Sequence, residues 1–266
     1  MIAAPIEFHA TSFTYGDDFD VAWHPTNPDL ACAANAVSML MPYAEPFVVR
    51  SIKAVVDRLD EPLRSEAGAY ARQEGQHHAQ HRRFNDLLVA RYPVLRVNER
   101  WMARIYRTIE RRSSPEFGVA FAAGFETVAY TAARWVAARR TTLLGGADPA
   151  ARDLFLWHLA EEVEHKSVAF EVHEAIGGSR VRYGLAMVLS DVLLAWFSFT
   201  NTMAMLAATG RILNPVAHLR LLFWSITFIF DLLPAMAVSA LPGHHPRDLV
   251  DPLFFEQWLA EHRHRR

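Results

Sequence analysis

Apolar positions recur along the chain with a helical period of three to four residues, and Gly and Pro residues interrupt that pattern. The resulting segments predict helices over residues 29–59, 62–91, 99–112, from 115 to the Gly145-Gly146 pair, and 149–176. Neither the alternation typical of strands nor an Asn-Gly hairpin signal occurs in the sequence. Long helices joined by short loops are typical of antiparallel bundles, so we expect an all-α protein.

The last third of the chain is more apolar than the rest. Residues 184–208 and 216–241 predict two apolar helices, each long enough to cross a bilayer. Asp191 and Asp231 argue against spanning, because a charge at the bilayer centre costs about 2.5–3.5 kcal/mol. A membrane-spanning hairpin, buried helices, a lipid-facing surface and a dimer interface all stay open.

We therefore expect three parts in the chain. Residues 1–28 form an N-terminal segment, and residues 29–178 form the helical bundle. Residues 179–266 form a hydrophobic two-helix extension with a C-terminal tail, packed on the bundle.

Composition and charge exclude several classes of protein. The 266 residues include 27 Lys and Arg against 29 Asp and Glu, a net charge of −2 that argues against a nucleic-acid partner. Cys32 is the single cysteine, which excludes a disulfide framework and an all-cysteine metal site. Residues 1–25 lack a basic start followed by an apolar run, so we expect no secretory signal. We expect a cytoplasmic protein and leave membrane association open.

Two predicted helices carry acidic and imidazole side chains at helical spacing. Glu74, His77 and His81 project from one face of the helix over 62–91, because they are three and four residues apart. Similarly, His158, Glu162 and His165 share one face of the helix over 149–176, where Glu161 competes with Glu162 for the same role.

Two further glutamates, Glu45 and Glu126, lie in otherwise apolar helical stretches, where a carboxylate is costly unless it is paired or binds metal. Four-helix di-metal carboxylate proteins use one Glu from each of two helices and a Glu-x-x-His from each of the other two. The chain supplies this set in order, which predicts a ferritin-like four-helix bundle: Glu45, Glu74-x-x-His77, Glu126 and Glu162-x-x-His165.

Simpler interpretations of the same residues stay open. The histidine-rich helix could present a solvated face, and Glu45 could pair locally beside the helix-breaking prolines around it. Glu126 could form a buried ion pair with Arg134 or Arg139.

Four blocks of the sequence resemble the bacterial proteins described as predicted metal-dependent hydrolases, within the ferritin-like di-iron group: Pro42–Arg50, Gln73–Asn85, Trp157–Glu171 and Pro242–Asp248. The spacing of His158, Glu162 and His165 is also similar to the ligand helix of di-iron arylamine N-oxygenases. That similarity implies His158 as a third imidazole ligand. His81 is either a fourth imidazole or a residue that orients a ligand. Pro46 departs from the family pattern, in which a more flexible residue follows the first ligand.

The donor set determines the expected cofactor and reaction. Four carboxylates balance two divalent cations, and imidazole suits iron and manganese, so we expect two iron ions with manganese as the alternative. The sequence favours a non-haem oxidase or oxygenase that activates O2 to oxidise a hydrophobic small molecule, with an electron donor that it does not identify. A hydrolase that uses a metal-activated water is the alternative. A non-catalytic metal-binding or membrane-associated protein is a third hypothesis, and the sequence leaves a homodimer open.

Overall fold

The computed structural model describes residue 6 and residues 11–263, so part of the expected N-terminal segment and the last three residues of the tail lie outside it. Among the described residues there are ten α-helices and no strand, which confirms the expected all-α helical bundle. The helices are α1 Pro28–Ser38, α2 Met41–Lys53, α3 Leu63–Arg91, α4 Leu95–Arg112, α5 Pro115–Leu144, α6 Pro149–His165, α7 Val168–Ala175, α8 Arg180–Ala208, α9 Pro215–Ala240 and α10 Leu253–Arg263.

Helix starts follow the polar residues that the sequence places there. The Ser114 side chain accepts a hydrogen bond from the backbone N–H of Phe117 at the start of α5. Asp148 accepts from the N–H groups of Ala150 and Ala151 at the start of α6. These caps satisfy N–H groups that the first helical turn leaves without partners, and they fix where each helix begins.

Two predicted helices are each divided in the structure. The segment over 29–59 forms α1 and α2 with a break after Ser38, and Pro46 lies inside α2 rather than ending it. The segment over 149–176 is interrupted by a turn between α6 and α7, where the Lys166 ammonium contacts the Leu249 carbonyl at 3.0 Å and the Asp251 carboxylate. Helix α10, which the sequence did not predict, buries Phe255 and Trp258.

Helix α5 lies at the centre of the molecule, in contact with α2, α6, α7, α8 and α9. Its approach to α8 is close at Gly124, where an added Cβ atom would lie 2.5 Å from Cα of Met187. Three residues later along α5, the Thr127 hydroxyl lies 2.6 Å from the Tyr183 hydroxyl of α8. Helix α8 therefore packs directly behind the part of α5 that carries Glu126.

Helices α8 and α9 pack on the bundle by one side only. Helix α8 contacts α1, α4 and α5 and is partly buried, whereas α9 contacts mainly α5 and is largely exposed. By length and composition both helices could cross a membrane. The loop between them is attached to α1, because Arg211 donates two hydrogen bonds, of 3.0 and 2.7 Å, to the buried Asp29 carboxylate.

Candidate metal centre

Four helices of the bundle place acidic and imidazole side chains in its interior. Helix α2 contributes one glutamate, α3 one glutamate and two histidines, α5 one glutamate, and α6 one glutamate and two histidines. All eight predicted site residues are buried, and His158, with 8% of its surface exposed, is the most accessible: Glu45, Glu74, His77, His81, Glu126, His158, Glu162 and His165. The helical spacings in the sequence therefore do point these side chains inward.

The donor atoms form two overlapping groups. In each group, one ligand atom per residue lies within 4.8 Å of every other: Glu45, His77 and His158 in the first, and Glu74, His77, Glu162 and His165 in the second. Because His77 belongs to both, the two groups are adjacent, and six of the eight predicted residues meet at one place.

Glu74 and Glu162 lie between the histidines. An oxygen of Glu74 lies 3.5 Å from Nδ1 of His77 and 3.3 Å from Nε2 of His165. An oxygen of Glu162 lies 3.5 Å from Nδ1 of His77 and 2.8 Å from Nε2 of His158. Each carboxylate is thus within reach of two different imidazoles.

Glu126 lies beside the second group. One of its oxygens lies 2.9 Å from Nδ1 of His165, and the other accepts a hydrogen bond of 2.5 Å from the Tyr70 hydroxyl. The alternative ion pair with an arginine is excluded, because Arg139 pairs with Asp231 at 3.1 Å and Arg134 is exposed. Glu126 is therefore part of the cluster of polar side chains in the bundle interior.

His81 lies behind His158 rather than among the donors. Its Nε2 is 2.6 Å from Nδ1 of His158, and its Nδ1 is 2.8 Å from the Ser38 hydroxyl. Ser38 in turn donates to the Asn85 side chain at 2.7 Å. Both nitrogens of His81 are thus engaged, whereas Nε2 of His158 faces the carboxylates.

Glu161 occupies a different position from Glu162. The Nε2–H group of His77 donates to a Glu161 oxygen at 3.1 Å, and the Trp157 indole donates to the other oxygen at 2.6 Å. Glu161 therefore contacts the side of the His77 ring that faces away from Glu74 and Glu162.

Many of the donor atoms have no hydrogen-bond partner although they are buried. They include both oxygens of Glu45, both oxygens of Glu74, Nδ1 of His77, Oε2 of Glu162 and Nε2 of His165. Buried polar atoms are nearly always satisfied, so a convergent set without partners needs an explanation. Divalent cations bound by these carboxylate and imidazole donors provide one, and the residues present fit such a site.

The glutamates of the cluster are close enough to repel one another when they are ionised. Burial raises the pKa of the Glu45 and Glu162 carboxyls well above the usual range, and the neighbouring glutamates raise it further. For His77, burial acts to lower the pKa, but the hydrogen bond to Glu161 and the nearby negative charge of Glu74 outweigh it and raise the pKa to about 10. Burial and the nearby histidines lower the pKa of His158 well below 6.5. Bound cations would remove the repulsion among the carboxylates.

Sequence reasoning missed the residues that surround the donors. Tyr70 contacts Glu126, Trp157 contacts Glu161, and Ser38 contacts both His81 and Asn85. One signal was available: Trp157 and Glu161 are four residues apart on α6, a spacing at which side chains meet on a helix.

A family model described as "predicted metal-dependent hydrolase" matches residues 7–249, which is most of the chain. Comparisons with curated proteins and with solved structures found no match.

Proposed function

The chain belongs to the family of predicted metal-dependent hydrolases, and from this membership we propose that it hydrolyses a hydrophobic substrate at a two-metal centre inside the bundle. The observation that carries the proposal is the convergence of buried carboxylate and imidazole atoms without hydrogen-bond partners. The sequence pattern favoured oxidation with O2 as the main hypothesis. Family membership supports hydrolysis, its alternative, better.

The ligands that we propose divide between two ions. Glu45, His77 and His158 would hold one ion, and Glu74, Glu162 and His165 would hold the other. Glu126, one oxygen of which lies 2.9 Å from Nδ1 of His165, would be a further ligand beside the second group. Glu74 and Glu162 are each within reach of two imidazoles, which supports their assignment as ligands.

When bound, a pair of divalent ions supplies Lewis acidity and an activated water for attack on an ester or related bond. The remaining side chains hold the donors in place. Glu161 accepts from His77 and so directs Nδ1 of that ring toward the carboxylates. In the same way, the hydrogen bond from Tyr70 orients the Glu126 carboxylate, and the hydrogen bond between His81 and His158 orients the His158 ring. Because the proposed ligands are buried, they are shielded from bulk water, which strengthens the electrostatic contacts within the site.

A second candidate function is oxidation of a hydrophobic small molecule with O2. The carboxylate-rich donor set favours it, because such a set suits iron or manganese better than zinc. The burial of the donors favours it as well, since O2 is small and apolar and needs only a narrow path. Iron, when bound, would supply the redox chemistry, and an external electron donor would be required.

One experiment separates the two candidates. The purified protein is loaded anaerobically with Mn²⁺, Zn²⁺ or Fe²⁺, its metal content is measured, and aryl esters of fatty acids are offered without O2. The proposal expects about two ions per chain and ester cleavage that is lost in Glu74→Ala. O2 consumption by the ferrous protein with a fatty acid, in the absence of anaerobic cleavage of esters, would instead establish the second candidate.

A further inference from the structure

The outward side of α8 is apolar along its length. Val188, Val192, Trp196 and Phe199 recur at intervals of three and four residues, and more than half of the surface of each is exposed. This spacing places them on one stripe of the helix, opposite the side that packs on the bundle. The stripe contains no charged residue among the described positions that are exposed between Val188 and Ala208.

Helix α9, which is in contact with α8, also exposes apolar residues. Leu219, Phe223 and Phe230 have exposed fractions of 66%, 56% and 75%, and Ile226 is exposed between them. Together with the stripe on α8 they form what we call the hairpin face. With 26 residues α9 is about 39 Å long, and two adjacent helices are roughly 20 Å wide. The footprint of the two helices, on the order of 800 Å², exceeds the apolar patch of about 300–600 Å² typical of a monomeric soluble protein.

Charge is distributed around the hairpin face in a specific way. Residues 180–241 contain four arginines and two aspartates, so this segment is positive by two while the rest of the chain is negative by four. The arginines lie at the two ends of the helices: Arg180 and Arg182 at one end, and Arg211 and Arg220 at the other. A helix that lies in the plane of a membrane surface buries an apolar face, and its basic residues contact anionic head groups.

A cavity of about 390 Å³ lies at one end of the face. Arg220, Phe223 and Trp224 of α9 line it, together with Thr26 of the N-terminal segment and Thr142 of α5. A guanidinium and two hydroxyls next to aromatic rings suit a molecule with an anionic head and an apolar tail.

We propose that the hairpin face docks the protein on an anionic lipid surface, with α8 and α9 lying in the plane of the interface. The helices do not span, because the inner side of α8 packs on α1 and α5. An ion pair between Asp231 of α9 and Arg139 of α5, 3.1 Å long, also ties the hairpin to the bundle.

A second copy of the chain is the less suitable partner for this face. Two-fold symmetric contacts place the same surface on both subunits. Because both ends of the hairpin are basic, either orientation of such a pair brings arginines against arginines. Anionic head groups, by contrast, are attracted to both ends.

Vesicle flotation with the full-length chain tests the proposal. We expect the protein to float with vesicles of phosphatidylglycerol and phosphatidylcholine, less with phosphatidylcholine alone, and less again at 1 M salt. The pair Phe223→Glu and Phe230→Glu should reduce binding more than tenfold. The matched control is Val94→Glu with Val97→Glu, which places the same charges at exposed apolar positions at the start of α4 and should leave binding unchanged.

Arg220→Gln isolates the electrostatic part and should weaken binding to the anionic vesicles about fivefold, with little effect on neutral ones. Absence of flotation, or flotation that Phe223→Glu with Phe230→Glu does not change, would overturn the proposal. Equal binding to both vesicle types would overturn the preference for anionic lipid. A concentration-dependent dimer in light scattering that the same pair abolishes would assign the face to a second copy. None of these results depends on the metal content of the bundle.

Discussion

The ring of His77 and the carboxylate of Glu161 are joined by a hydrogen bond of 3.1 Å that lies on the outer side of the proposed metal centre. Because Nε2 of His77 is committed to this bond, Nδ1 is the nitrogen that faces Glu74 and Glu162 and would bind an ion. A carboxylate that fixes the tautomer and the angle of a ligating imidazole is a common feature of metal sites.

Glu161→Gln tests this relationship. The amide can still contact the ring but does not hold its tautomer as a carboxylate does, so we expect metal affinity to fall about 10- to 100-fold while the number of ions at saturation is unchanged. Titration with Mn²⁺ followed by calorimetry measures both quantities. Glu164→Gln, three residues along the same helix and partly exposed, serves as the control and should bind as the wild type does.

His158 and His81 should respond differently to removal. His158→Ala removes a proposed ligand, so we expect the metal content to fall from about two ions per chain toward one. His81→Ala removes only the partner of Nδ1 of His158, and we expect both ions to bind at saturation with about 10- to 100-fold lower affinity. Elemental analysis after equilibrium dialysis distinguishes these results. Two ions bound to His158→Ala at the wild-type affinity would exclude His158 as a ligand.

Glu126 and Tyr70 form a second such comparison. Glu126→Gln should lower the metal content, because the amide carries no charge to balance the cation. Tyr70→Phe removes one hydrogen bond to Glu126 and should retain both ions, while costing about 1–3 kcal/mol of stability because the Glu126 oxygen stays buried without its donor. Metal analysis and chemical denaturation of both variants measure the two effects. A fully loaded Glu126→Gln protein would contradict the ligand role of Glu126.

Removal of metal should lower the melting temperature. A ligand that binds only the folded state, at 100 times its dissociation constant, adds about 2.7 kcal/mol of stability. In a protein of this size that corresponds to roughly 5–10 °C. Differential scanning fluorimetry with and without a chelator provides the measurement. The Glu74→Ala protein should show no such shift, and an equal shift in this variant would place the stabilising metal elsewhere.

The close approach of α5 and α8 gives a prediction that is independent of metal. Gly124→Ala should destabilise the fold by about 1–3 kcal/mol, because the new Cβ atom would lie 2.5 Å from Cα of Met187. Gly75→Ala is the matched control, since Gly75 is an exposed helical residue with nothing within 4 Å of its added Cβ. It should stabilise the protein by about 0.5–1 kcal/mol through helix propensity. Urea denaturation of the two variants should therefore give shifts of opposite sign.

The donors of the candidate centre were predictable because helical spacing fixes which side chains share a face. The pairs Glu74 with His77 and Glu162 with His165 needed only the period of the helix. Tyr70 and Glu126 are 56 residues apart, so their contact depends on how α3 packs against α5, which no local pattern encodes. The same holds for the contact between His81 and His158, which depends on how α3 and α6 are rotated about their own axes.

For a related reason, the sequence did not predict which sides of α8 and α9 pack on the bundle. Both helices are apolar on most sides, so the hydrophobic pattern does not distinguish the face that packs from the face that remains exposed. The division is decided by features of the bundle, among them the space beside Gly124 and the ion pair between Arg139 and Asp231.

The hydrogen bonds between Arg211 and Asp29 affect the order in which the parts of the chain can fold during synthesis. A nascent chain that has emerged from the ribosome as far as His165 holds every proposed metal donor, yet the carboxylate of α1 still lacks its guanidinium partner. Burial of Asp29 in α1 is therefore unfavourable until about fifty further residues, which include α8 and Arg211, have been translated. Packing of α1 on the bundle is thereby coupled to the synthesis of the first apolar helix.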